Sequence, residues 1–445
     1  PLNGETFFKG VYRLPEGHYY TYKDGKLDIQ QYWDADFETK ETHSRQEWIE
    51  KIDETVQASI EAHTISDVEV GSFLSSGVDS SYVTSVLKPD HSFSIGFDDK
   101  TYNEAIEARK LTELLELDNT AAVIDGDMSF KAFPLIQYHL DEPDSNPSCV
   151  PLYFLANLAS QSVRVVQSGE GADELFAGYQ TYGFHTNSKF IRVIAQGLKK
   201  LPKGTRYNLG RKIGKMKNFH GRIHLYESLA PAKEYFIGHA RVFEESEASE
   251  VLTPKYQTAP SVNEIMTVHY EKTEGIKDEV NKMQYVDLHQ WMPKDILLKA
   301  DKLSMASSLE VRVPLLDIEV MKLAQQIPSK FLLNQNNTKD IFRQAANKHL
   351  PEEWSNRVKL GFPVPIKAWL KEEHGYEQVK ALFEADFAKE FFDQEKIMKL
   401  LDDHHEGRKE EQRKIWTIFS FLTWYKVYFV DETIPQAEAI DYVTV

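Results

Sequence analysis

The chain has 445 residues, enough for two or three domains with ample cores, and 41% hydrophobic with 27% charged residues is ordinary for a globular protein. A net charge of −17 argues against general nucleic-acid binding, and the single cysteine, Cys149, excludes an internal disulfide or a cysteine-rich metal site. It also suits a reducing cytoplasm, and no signal peptide or bilayer-length apolar run is evident.

Tyr19–Tyr22 and Leu27–Ile29 flank Asp24-Gly25 and predict a hairpin. Ser44 with Glu47 forms a capping-box pattern, and Trp48, Ile52, Val56 and Ile60 give the following helix one apolar stripe. From Val68 the pattern alternates. Strand 68–74 leads into helix 79–88, strand 91–97 into helix 103–117, and strand 119–124 into helices near 127–139 and 149–160. Strand 163–167 then runs into Ser168-Gly169-Glu170-Gly171-Ala172-Asp173-Glu174. This order predicts an α/β fold with a parallel sheet, helices on both faces, and ligands at the carboxyl ends of the strands. Beyond about residue 183 the chain reads as mostly helical, ending in a buried helix within Ile415–Val430. The basic stretch Lys189–Lys217 reads as a solvated helical face, and His404-His405 beside Asp402 and Asp403 as a solvated helix end.

The loop Ser75-Ser76-Gly77-Val78-Asp79-Ser80 sits between a strand and a helix start. Backbone N–H groups there, with hydroxyls from Ser75, Ser76 and Ser80, suit a phosphate, and Asp79 suits a divalent metal. No Gly-Lys-Ser/Thr follows, so this is not a Walker A loop. It resembles the Ser-Gly-Gly-x-Asp-Ser loop of the ATP pyrophosphatase families. With Ser168–Glu174, Lys299–Ala306 running on to Leu309–Asp317, and Asn356–Pro365, it is similar to the synthetase domain of the asparagine synthetase family.

That resemblance implies an adenine nucleotide alpha hydrolase-like fold, with ATP and Mg²⁺ used to amidate aspartate through an acyl-adenylate. It implies Mg²⁺ on Asp79 and Asp173, pyrophosphate on Ser75, Ser76, Gly77 and Ser80, and adenine against Leu74, Ile95, Ser168 and Gly169. Lys359 would counter charge on the reacting phosphate, Glu170 would take the proton of the incoming nitrogen, Tyr179 would line the cleft, and Leu152 an ammonia path. Arg312 and Asp317 are read as structural. The resemblance also implies residues 1–35 as the end of a glutaminase domain that supplies ammonia, 36–185 as the α/β domain and 186–445 as its helical completion, and it admits a homodimer. No cysteine precedes Cys149 to serve as glutaminase nucleophile.

Two departures stand out. Ser76 replaces the first loop glycine, which is tolerable if that residue does not need positive φ. Asp144-Ser145-Asn146-Pro147-Ser148 lacks the arginine of the Thr-Thr-x-Arg aspartate segment, so the acid is held differently or is not free aspartate. The rival readings are an amidotransferase acting on a cell-wall precursor (a diaminopimelate or aspartate side-chain carboxylate) and an inactive nucleotide-binding module. A β-lactam-forming synthetase is less well supported, because nothing in the sequence gives a reason to assign a tyrosine–glutamate dyad in place of the glutamate.

Overall fold

A computed structural model describes residues 4–38, 40–99, 103–183, 193–195, 197–198, 200–216, 221–239, 241–334, 337–357, 364–437, 440 and 442–444. The hairpin forms as expected: β1 (His18–Lys23) pairs antiparallel with β2 (Lys26–Gln31). Asp24 and Gly25 at its tip have φ of 51° and 76°, the paired left-handed geometry that an Asp-Gly turn permits. Among the described residues these strands pair only with each other. Helix α1 (Arg45–Ala62) starts at the predicted box, with Glu47 N donating to Ser44 Oγ and Ser44 N to the Glu47 carboxylate. Its stripe of Trp48, Ile52, Val56 and Ile60 is buried.

The main sheet contains β3 (Val70–Phe73), β4 (Ser92–Phe97), β5 (Asn119–Ile124), β6 (Val165–Gln167), β7 (Glu310–Arg312) and β8 (Val443–Thr444). Their spatial order is β7-β6-β3-β4-β5-β8, parallel except for β8. Helices α2 (Val78–Leu87) and α3 (Glu104–Leu115) share one core with α1. Alternation along β4 sends Phe93, Ile95 and Phe97 to the opposite face, into a second core with α4 (Gly126–Leu140), α5 (Cys149–Ser160) and the late helix Gln412–Tyr425. The chain advances from β3 through β4 to β5, then returns to place β6 on the other side of β3. The crevice of such a sheet opens at that reversal, between the ends of β3 and β6.

β7 and β8 were not anticipated. β7 draws Arg312 to the sheet edge, where its guanidinium donates to the carbonyls of His63 and Ile65, and Asp317 caps the helix Ile318–Gln326. Both residues are structural, as expected. Within the basic stretch, Lys203, Arg211, Lys212 and Lys215 are exposed. One expectation fails: His404 is fully buried, with Nε2 3.2 Å from the Lys367 carbonyl and Nδ1 accepting from Glu411 N. The chain after the helix Gln394–His405 folds back over that end. Among the described residues, no group of three or more His, Cys, Asp or Glu side chains is arranged to hold a metal ion.

Candidate active site

The loop after β3 closes on itself. Ser75 N donates to Ser80 Oγ at 3.0 Å, the two hydroxyls lie 2.9 Å apart, and Gly77 N donates to Ser75 Oγ. Gly77 then N-caps α2 with φ −80° and ψ 153°. Ser76 is not among the positive-φ residues, so its Cβ brings no strain. After β6, Ser168 N donates to the Arg312 carbonyl at 2.9 Å, and Gly171 turns the chain with φ 97° into a short helix, Ala172–Leu175.

The two loops touch through Gly169, where an added Cβ would lie 2.5 Å from Ser80 N and 2.7 Å from the Asp79 carbonyl carbon. These are backbone atoms and cannot rotate away. Gly169→Ala is expected to part the loops, at an overpacking cost of about 1–3 kcal/mol, and to weaken nucleotide binding roughly ten- to hundredfold. Equilibrium titration with ATP checks this; unchanged affinity would separate the loop contact from binding.

Asp79 and Asp173, one from each loop, converge on one cation that sequence reasoning missed. Lys339 Nζ lies 2.7 and 2.6 Å from the Asp79 oxygens and 2.8 Å from Asp173 Oδ1, and its side chain is fully buried. Burial lowers its pKa against the pull of Asp79. Arg343, one turn further on, donates to the carbonyls of Thr338, Ser355 and Arg357. It thereby ties the helix Asp340–Ala346 to the chain entering the Asn356–Pro365 motif. Lys359 itself lies outside the described residues. The sequence signal for Lys339 is weak, since Thr338-Lys339-Asp340 reads as any helix start.

A cleft of roughly 320 Å³ opens over these loops, walled by Leu74–Ser80, Ser168–Glu170, Asp173, Glu174, Tyr179, Lys339 and Arg343. Asn146, Ser148, Leu152, Trp291 and Lys299 close it. Of the predicted cleft residues that are described, all are brought together but one. Ile95 sits within β4, paired with Ala122 and packed in the core, and does not line the cleft. A larger hollow of about 770 Å³, bounded by Tyr182, Arg206, His224 and Glu279, shares no wall with it and carries none of the strand-end residues.

Tyr179 donates to Glu174 Oε1 at 2.6 Å and accepts from Trp291 Nε1 at 3.0 Å. Burial pushes the Glu174 pKa up to about 8, only partly offset by the Tyr179 hydrogen bond. The folded chain therefore keeps a proton that the unfolded chain loses in the ordinary carboxylate range. This contribution to stability is complete below that range and is lost as pH rises to about 8. Glu174→Gln is expected to remove a decline approaching 1.4 kcal/mol per pH unit from the stability profile. Denaturant unfolding at several pH values reads this, and parallel profiles for both proteins would refute it.

Paired strand-end loops and carboxylates gathered on a lysine define an α/β protein with a cleft at its sheet reversal. Residues 51–426 match the family model described as Asparagine synthase. The chain is 35% identical over 439 residues to Asparagine synthetase [glutamine-hydrolyzing] 1 of Bacillus subtilis (strain 168), covering 96% of this chain and 67% of that relative. It is 32% identical over 448 residues to a provisionally named asparagine synthetase [glutamine-hydrolyzing] of Mycobacterium bovis, covering 98% and 67%. The chain belongs to the asparagine synthetase family of carbon–nitrogen ligases.

Proposed function

We propose that the protein amidates aspartate to asparagine with ATP, through a β-aspartyl-AMP intermediate and with release of AMP and pyrophosphate. The observation that carries this reading is the meeting of the two strand-end loops where Asp79 and Asp173 share Lys339, in a chain of this family. The physical difficulty is charge, because a carboxylate must approach a polyanion. Backbone N–H groups at the start of α2 and the hydroxyls of Ser75, Ser76 and Ser80 offer donors to the pyrophosphate. Leu74, Ser168 and Gly169 offer backbone groups to adenine.

Asp79 and Asp173 would hold Mg²⁺. They already converge on one cation, and two carboxylates completed by phosphate oxygens and water suit this ion. When bound, it offsets charge on the phosphates and leaving group. Lys359 adds a positive charge, and Glu170 accepts the proton released as nitrogen attacks. In this reading, ammonia comes from glutamine hydrolysis in a separate domain whose end is residues 1–35. The hairpin's isolation from the main sheet supports that division.

Exchange of labelled pyrophosphate into ATP tests the proposal. Exchange dependent on free aspartate supports it. Exchange only with a cell-wall precursor carboxylate moves the activity to that rival substrate, which the altered Asp144–Ser148 segment favours. ATP binding without exchange for any acid leaves a nucleotide-binding module.

A further inference from the structure

Lys339 holds its position against the preference of its own backbone. It stands immediately before the helix Asp340–Ala346 with φ 55° and ψ 35°, a left-handed conformation that any side chain disfavours. Such a backbone persists only where its surroundings fix it. At the side-chain end, Asp79 and Asp173 hold the ammonium. At the other end, the helix that follows Lys339 is held by α1.

Two side chains of α1 do this. In its first turn, Arg45 Nη2 donates to Asp340 Oδ2 at 2.7 Å and Arg45 Nε to Gln344 Oε1 at 3.3 Å. Asp340 is the residue directly after Lys339. Further along α1, the buried Asp53 reaches the chain just past the far end of the same helix. Its Oδ2 accepts from Lys348 Nζ at 3.0 Å, and its Oδ1 lies 2.7 Å from His349 Nε2. Asp53 Oδ1 also accepts from Tyr82 OH at 2.7 Å, and Tyr82 lies one turn along α2 from Asp79. The Tyr82 ring stacks on His349 and meets Phe342 edge-on, with centroids 5.5 Å apart in each case. Burial opposes the Asp53 charge, but hydrogen bonds from Tyr82, Lys348 and His349 outweigh it and lower its pKa. Neither Arg45 nor Asp53 is among the residues walling the cleft.

We propose that Arg45 and Asp53 are positioning residues for the nucleotide end of the cleft, bracing Lys339 and Asp79 from behind through α1. The inference rests on the ligase reading above and adds the part that keeps the lysine shared by the two loops in its strained place. Without the Arg45 bonds the start of the helix Asp340–Ala346 is released. Relaxation of Lys339 to a right-handed backbone then re-aims its side chain away from the carboxylates. Without Asp53, α2 and the chain at His349 lose their common anchor, and the distance from Asp79 to Lys339 is no longer set. The brace therefore acts on nucleotide affinity through groups that never touch the nucleotide.

The test is equilibrium binding of α,β-methylene-ATP, beside urea unfolding and pyrophosphate exchange on the same preparations. The Arg45 side chain is 40% exposed, and Asp340 keeps a hydrogen bond from Gln344 Nε2, so Arg45→Met should fold. It should weaken binding of the analogue about tenfold. Arg45→Lys, which keeps the charge toward Asp340, should recover part of that loss. Tyr82→Phe, which removes only the hydroxyl facing Asp53, should give a smaller loss of the same kind. Ser44→Ala removes the cap of the same helix without touching Asp340, and should lower stability while leaving nucleotide affinity in place. Unchanged affinity in Arg45→Met would overturn the brace. An equal loss in Ser44→Ala would overturn it too, because any loosening of α1 would then suffice. The expected loss in Arg45→Met, with no exchange in the unaltered protein for any acid, leaves the brace standing and fells the ligase reading. Exchange in the unaltered protein with full affinity in Arg45→Met does the reverse.

Discussion

Replacing Glu170 with glutamine is expected to slow amide formation by about 10²–10⁴, the usual contribution of a positioned general base. Pyrophosphate exchange, which reports the earlier adenylation, should remain near its original rate. The two steps are expected to separate because only the second, attack by nitrogen, needs a proton acceptor, although Glu170 lines the same cleft as the cradle. Its charge is one of those that raise the pKa of Lys299, whereas Asp79 and Asp173 are the carboxylates bonded to Lys339. The replacement keeps size and removes the proton acceptor. Measuring asparagine formation and exchange on the same preparation decides the matter: equal loss of both would mean that Glu170 acts before the nitrogen arrives, or only holds the loop.

The second large effect is expected at Lys339. Lys339→Met leaves two carboxylates facing each other without the cation that now joins them. Breaking a buried ion pair by removing one partner costs about 3–5 kcal/mol. The unfolding midpoint in urea should fall accordingly. Adding Asp79→Asn should recover part of the loss, because one uncompensated charge is then gone. Millimolar Mg²⁺ should raise the midpoint of the Met variant more than that of the unaltered protein, since the ion would fill the role of the absent ammonium. A Met variant as stable as its parent would show that the pair contributes nothing net.

How much of this was legible depends on the range over which each feature is specified. The β3 loop is a local arrangement: Ser75, Gly77 and Ser80 bond within five positions, and serine spacing before an apolar helix announces it. The capping box at Ser44 and the Asp24-Gly25 turn are similarly local and were read almost to the residue. Strand β4 was legible from the alternation of Phe93, Ile95 and Phe97 with small residues, and β5 from the short apolar run Ala121–Ile124. The features missed are pairings across long stretches of chain. β7 has only three residues, of which Val311 alone is aliphatic, and it exists because β6 offers an open edge. Lys339 is one of many lysines until folding sets it between the two loops. His404 was misjudged because composition suggested a solvated end, while Lys367, 37 positions earlier, and the chain turning back at Glu411 cover it.

The missing arginine shows the same limit. The Asp144–Ser148 segment was correctly read as lacking a cation. The sequence could not reveal that Lys299 arrives beside it from another helix.

The distance between Asp79 and Lys339 along the chain, 260 positions, also sets an order of events. When the segment holding β3 to β6 leaves the ribosome, the edge of β6 lacks β7 and the loop carboxylates lack their lysine. An open strand edge and unpaired charges are what make a nascent intermediate prone to wrong association. The crevice closes only after a long helical stretch has been made and has returned to the sheet. Completion of the cleft thus waits on synthesis of the chain through Lys339, and a chain stopped short of residue 339 would present the two loops with their acidic groups opposed.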